Sequence, residues 1–161
     1  MWNNNKLILN SVLIFSIFSL IIAYYIQYVL GHKPCNLCLV ERIPYIAAII
    51  LISMIFMINK FKKVIAKIVM LFFILGAVVS AYHVGVEQDL FSESFVCDLG
   101  QSKESLSKED LLKQLQNKSV VSCKNVTFKL FGLSLATINT VISILFIVIM
   151  RRVIKNYGQN K

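Results

Sequence analysis

The chain has 161 residues, of which 57% are hydrophobic and 16% charged, and it carries a formal net charge of +9. A soluble domain must cover its surface with polar groups, and this composition supplies too few, so a lipid bilayer is the expected solvent. The positive charge does not indicate nucleic acid, because the basic residues gather at the ends of apolar runs, where an anionic membrane surface attracts them.

An α-helix rises about 1.5 Å per residue, so crossing a hydrocarbon core about 30 Å thick takes roughly 20 apolar residues. Four stretches approach that length: Leu7 to Leu30, Ile43 to Ile58, Val64 to Val86 and Gly132 to Met150. In lipid a backbone satisfies its own hydrogen bonds only in a helix or a closed barrel, and these runs lack the alternation of barrel strands. The expected fold is an all-α membrane protein. It is a single integral membrane domain over residues 1–161, a four-transmembrane-helix bundle with one short and one long extracytoplasmic loop.

The first stretch runs 24 residues without a charge behind Lys6 and lacks a small-residue cleavage pattern, so it reads as a retained helix and not a signal peptide. The short loop that follows, Gly31 to Arg42, holds Cys35-Asn36-Leu37-Cys38 between Pro34 and Pro44. Proline biases the residue before it away from helix, which leaves this motif as one helical turn or a tight loop. The second stretch is short, and Glu41 and Arg42 at its outer end require it to start at the headgroup level or to let those side chains snorkel. Glu41 reads as a solvated neighbour of Arg42 or its ion-pair partner.

The third stretch carries His83 near its outer end, at a depth similar to the cysteine motif. The long loop, about residues 87–131, holds Cys97 and Cys123. Within it Ser107 resembles a helix cap with Asp110 three residues on, and Leu106 and Leu111 suit a hydrophobic staple. Leu111, Leu112 and Leu115 then give a short amphipathic helix ending near Asn117. In the fourth stretch Thr137 and Asn139 read as interhelical hydrogen-bonding groups.

Orientation follows from the basic residues, since short cytoplasmic segments accumulate Lys and Arg. Lys6, Lys60, Lys62, Lys63, Lys67, Arg151, Arg152, Lys155 and Lys161 share one side with no acidic residue. Both termini are therefore expected in the cytoplasm, with every cysteine on the opposite face. Tyr24, Tyr25, Tyr28, Tyr45 and Tyr82 gather at the outer helix ends and Trp2 and Tyr157 at the inner ends, where aromatic residues anchor a protein at the interface.

Four cysteines on an oxidising face are expected as disulfides. Two pairs on the same side permit electrons to pass between them, which makes the pattern more specific than one C-x-x-C. Static clips are the alternative, and a bond between Cys97 and Cys123 would limit the disorder of its loop. Zinc on four thiolates fits less well, because Cys97 and Cys123 lack close ligand spacing and oxidation removes the thiolates. Arg42, four residues after Cys38 and seven after Cys35, falls on their helix face. Its fixed charge there favours the Cys38 thiolate, the reactive form; the alternative is an arginine that only snorkels. An ionisable residue such as His83 within a span is costly unless it faces a polar partner or cavity.

Pro34-Cys35-Asn36-Leu37-Cys38 with Glu41-Arg42, Tyr82-His83-Val84-Gly85-Val86-Glu87, the pair Cys97 and Cys123, and Gly132-Leu133-Ser134-Leu135-Ala136 closely resemble the bacterial DsbB family of disulfide bond formation proteins. The match runs in order along nearly the whole chain, and departs from a common family pattern at Ile138, where tryptophan often precedes the asparagine. The resemblance implies a multi-pass protein of the bacterial inner membrane that reoxidises a periplasmic thioredoxin-fold partner, DsbA-like, and passes electrons to the membrane quinone pool, ubiquinone or menaquinone. It further implies that Cys97 takes the mixed disulfide and Cys123 resolves it or exchanges. Cys35 and Cys38 then reoxidise that pair, with Cys38 next to the quinone and Arg42 assisting. His83 fits beside the quinone as hydrogen-bond donor or proton relay, a satisfied core histidine being the alternative. No metal is expected. Vitamin K epoxide reductase homologues also join a four-helix bundle to a C-x-x-C and a loop pair, but in the opposite chain order. A membrane scaffold with two structural disulfides is the non-enzymatic alternative.

Overall fold

The computed structural model describes residues 2–58, 61–91, 123, 129–130 and 132–159. Cys97 and the expected loop helix from Ser107 to Asn117 lie outside the described residues. Helix α1 is Trp2–Tyr28, α2 is Asn36–Val40, α3 is Ile43–Met57, α4 is Lys62–Glu87, and α5 is Leu135–Gln159. Four spans are long and apolar enough to cross a membrane: Asn5–Tyr28, Asn36–Met57, Lys62–Glu87 and Leu135–Tyr157, with mean hydropathy between 1.9 and 2.5. The protein is an all-α four-helix membrane bundle, as its apolar periodicity indicates.

The helices pack in a ring, α1 on α3, α3 on α4, α4 on α5, and α5 on α1 in the sparsest of these contacts. Phe73 of α4 sits at the centre, edge-to-face with Tyr45 of α3 and with Phe146 of α5. Leu9, Val12, Ile52, Val69 and Met150 close the core around it. The outward faces carry Ile14, Phe18, Val78, Val141 and Val148, all exposed. Apolar surface on every face would drive a soluble protein to associate, whereas hydrocarbon leaves it at no cost.

The second span differs from its sequence reading. It begins at Asn36, so α2 and α3 together cross, and Glu41 and Arg42 lie at the joint between them and not at the outer end. The joint follows from Pro44, which has no N–H to give the carbonyl of Val40 and whose ring crowds that carbonyl. The same proline sits against Gly76, where an added Cβ would lie 2.7 Å from Pro44 Cγ. Glycine thus lets α4 approach α3 closely, three residues past Glu41 and two turns below His83.

The fourth helix also starts later than expected. Lys129–Leu130 (β1) pairs antiparallel with Leu133–Ser134 (β2) around Gly132 at φ +83°, a backbone angle that favours glycine. Ser134 then caps α5, its Oγ accepting the N–H of Thr137 at 3.2 Å and lying 2.9 Å from the Thr137 hydroxyl. Thr137 therefore serves the helix start and not an interhelical bond. Asn139 does bond between helices, as expected.

Candidate functional site

The cysteine motif forms one helical turn. Cys35 is the N-cap of α2 with extended backbone (φ −72°, ψ 167°), and the Cys38 N–H donates to its Sγ at 3.3 Å. Capping normally falls to an oxygen-bearing side chain, and a sulfur in that position faces the positive end of the peptide dipoles. Both cysteines are thiols here. Cys35 lies just ahead of the membrane span, and the Cys38 side chain hydrogen-bonded to it holds its thiol below the ordinary range, against the opposing effect of burial. The sequence expectation gave the favoured thiolate to Cys38 through Arg42. The bond from the start of α2, the Cys38 N–H, goes to the Cys35 sulfur.

Arg42 turns away from the sulfurs because the helix break at Pro44 interrupts the face that i, i+3, i+7 spacing would share. Its Nη1 donates to Gln27 Oε1 at 2.7 Å, and its guanidinium lies 5.1 Å from the centre of the Tyr24 ring. Both partners belong to α1, so Arg42 ties α1 to the α2–α3 joint while still lining the cavity described below.

The groups that lead to the sulfurs come from α4, from the α2–α3 joint, from α3 and from α5. His83 is 3% exposed, with Nε2 3.6 Å from Cys35 Sγ. Its Nδ1 lies 2.7 Å from Oε1 of Glu41, itself only 8% exposed. The second carboxylate oxygen accepts from Asn139 Nδ2 at 2.9 Å, and Asn139 Oδ1 accepts the Tyr45 hydroxyl. An ionised carboxylate only accepts hydrogen bonds, which fixes every donor along this chain. Asn139 turns its amide nitrogen to Glu41, Tyr45 donates to Asn139, and His83 faces Glu41 with Nδ1. Its Nε2 faces Cys35 Sγ. Cys35, His83 and Glu41 form the arrangement of nucleophile, base and orienting carboxylate that activates thiols elsewhere.

Glu41 was read from sequence as a solvated neighbour of Arg42, and Tyr45 as an interfacial anchor. Both are buried, and their partners come from positions 42 and 94 residues away along the chain. No local pattern announces such pairings. The one available signal was that a carboxylate inside an apolar span needs a buried partner.

Cys123 is 3% exposed, disulfide-bonded, and packs in one cluster with Cys35, Leu37 and Val86, with Cys38 at its edge. The chain thus brings the end of the long loop onto the cysteine motif.

Beside the motif a cavity of about 300 Å³ opens between α1 and α5. Phe15 and Phe18 of α1 and Ile138 and Ile142 of α5 form apolar walls, and Cys38, Arg42 and His83 line its polar end. Phe18 is 58% exposed, so the cavity reaches the lipid-facing surface. For a metal, Cys35 Sγ, Cys38 Sγ and a His83 ring nitrogen lie within 4.8 Å of one another. The sequence reading weighed only a four-cysteine set; the fold assembles two sulfurs and a nitrogen.

A family model described as disulfide bond formation protein DsbB matches residues 5–151. An uncharacterized protein of Rickettsia prowazekii (strain Madrid E) is 26% identical over 156 residues, spanning 96% of this chain and 91% of its own. No solved structure matches.

Proposed function

The chain belongs to the DsbB family of disulfide bond formation proteins, and from that premise we propose that it reoxidises a soluble thioredoxin-fold dithiol oxidase, DsbA-like, and passes the electrons to a membrane quinone. Family membership carries disulfide oxidoreductase activity in general. The partner, the acceptor and the residue roles are the proposal, together with a bacterial inner-membrane setting in which both termini are cytoplasmic and the cysteines periplasmic.

Each round takes two electrons and two protons from the partner's dithiol, which leaves as a disulfide. A partner thiolate attacks Cys97, breaking its bond to Cys123. The partner's second thiolate then attacks the mixed disulfide and releases Cys97 and Cys123 as thiols. These attack the Cys35–Cys38 disulfide, regain their own bond, and leave Cys35 and Cys38 as the dithiol. His83 Nε2 takes the Cys35 proton, and Glu41 stabilises the imidazolium through Nδ1. Closing the Cys35–Cys38 bond gives up two electrons together with the Cys35 proton held on His83 and the Cys38 proton, and a quinone held in the cavity would accept both pairs.

A cavity of about 300 Å³ with apolar walls and its polar groups at one end suits a flat ring with oxygen substituents and an apolar tail. A bound quinone supplies an acceptor for two electrons and two protons. Arg42 would orient an oxygen of that ring, and Phe15, Phe18, Ile138 and Ile142 would hold the ring and exclude water.

The observation that carries this reading is the 3.6 Å approach of Cys35 Sγ to a histidine nitrogen whose other nitrogen is held by a buried carboxylate. The test mixes purified protein, a reduced thioredoxin-fold oxidase and a soluble quinone, and follows quinol formation for wild type and each single Cys→Ala variant. Loss of quinol with all four variants is expected. Unchanged turnover in Cys38→Ala would overturn the quinone step.

A further inference from the structure

A thiol, a thiol and an imidazole meeting at one point are a donor set as well as a redox site. The ligand atoms of Cys35, Cys38 and His83 lie within 4.8 Å of one another, a spacing that a tetrahedral ion spans with metal–sulfur bonds of about 2.3 Å and metal–nitrogen bonds of about 2.0 Å. A second feature points the same way. Metal-binding histidines commonly give their other N–H to a carboxylate, which fixes the tautomer and aims the free lone pair at the ion. His83 makes that contact with Glu41 at 2.7 Å, and the remaining carboxylate oxygen is held by Asn139, so Glu41 orients and does not ligate. Glu87 Oε1 lies 3.9 Å from His83 Nε2 but outside the set of donors that all approach within 4.8 Å, so the described residues supply three ligands.

We propose that the dithiol form binds one thiophilic divalent cation, zinc being the biological instance, through Cys35 Sγ, Cys38 Sγ and His83 Nε2. Two thiolates and a dication sum to zero charge, which suits a site surrounded by apolar helices. Thiolate and imidazole donors also select zinc over magnesium or calcium, which prefer oxygen. The ion displaces the two thiol protons, which leave to solvent, and the sulfurs keep their oxidation level. The disulfide form has no thiolate to offer. Cation binding and oxidation therefore exclude each other, and a bound cation holds the protein reduced.

The binding stands on the donor geometry alone; its effect on turnover rests on the proposed function. The probe is cobalt(II), added to full-length Cys97→Ser/Cys123→Ser protein in detergent, so that only the motif cysteines are present. The reduced protein is expected to take up one cobalt with sulfur-to-metal charge-transfer absorption and the intense visible bands of tetrahedral cobalt. The same protein oxidised to the Cys35–Cys38 disulfide gives neither, and this arm needs no substitution in the site. Glu41→Gln should weaken binding about 10- to 100-fold with the band positions kept, and His83→Gln should change the visible bands. A reduced protein without the charge-transfer absorption, or visible bands indifferent to His83→Gln, would overturn the site. Zinc should also slow turnover of wild type reversibly, with full recovery on chelation. If quinol never forms in metal-free buffer, the functional reading fails while the cobalt titration still decides the binding.

Discussion

The two ends of the bundle bury polar side chains to different ends. At the terminal end Asn156 Nδ2 donates to Asn5 Oδ1 at 2.9 Å, joining α5 to α1, and Asn5 Nδ2 finds no partner among the described residues. That is a clip of one bond between two helices. At the cysteine end Tyr45, Asn139, Glu41 and His83 form a directed chain across three helices that ends on a sulfur. Burying such groups costs several kcal/mol each unless every bond is made, and here the bonds lead from helix to helix up to the Cys35 sulfur. The two ends differ in connection and not in polarity.

The comparison breaks most visibly at Cys38. Its replacement by alanine is expected to lower quinol production to background, measured by quinone absorbance, while a helical circular dichroism spectrum shows the bundle intact. His83→Gln should lower kcat by about 10²- to 10⁴-fold, the usual contribution of a positioned base. An effect below threefold would reduce the histidine to a packing group. Asn139→Ala leaves one oxygen of Glu41 unbonded and acts on the chemistry only through Glu41 and His83. A loss of about 1–3 kcal/mol in stability is expected, with a shifted pH profile of turnover that a merely structural role would not produce.

Arg42→Ala should raise the apparent KM for quinone several-fold with kcat little changed, the mark of a group that holds its ligand equally in ground and transition states. An unaltered KM would leave the arginine as a tie to α1. The smallest effect belongs to the other end. Replacing Asn5 and Asn156 together by leucine removes both partners at once, an exchange that is nearly neutral, so turnover should stay within twofold of wild type and the unfolding midpoint should move by a few degrees at most. A large loss of turnover there would erase the contrast between the ends.

How far the sequence carries can be seen residue by residue. The four spans were legible from apolar length, and the C-x-x-C at a helix mouth was legible from spacing, because both depend on neighbours along the chain. The start of α5 was misplaced by three residues because Gly132 and Ser134 act through backbone angle and capping, which hydropathy does not record. Glu41 and Tyr45 were misread for a deeper reason. Spacing counted them as residues at a membrane surface, whereas Pro44 ends α2 early and lets Gly76 bring α4 against the joint, which turns both side chains inward. Arg42 was placed beside Cys38 by helical spacing, with Pro44 leaving that shared face open, and its observed bonds run to α1. Spacing along the chain singled out the cysteines; the contacts around them depend on tertiary approach.

Phe18, which lines the cavity, is 58% exposed on the apolar outer surface of α1, whose contact with α5 is the sparsest in the ring, so the cavity wall is shared with the lipid. A hydrophobic substrate arriving there is counted per lipid molecule and not per litre of water. Saturation should then follow the mole fraction of substrate in the micelle or vesicle, and adding detergent at fixed total substrate should mimic competitive inhibition.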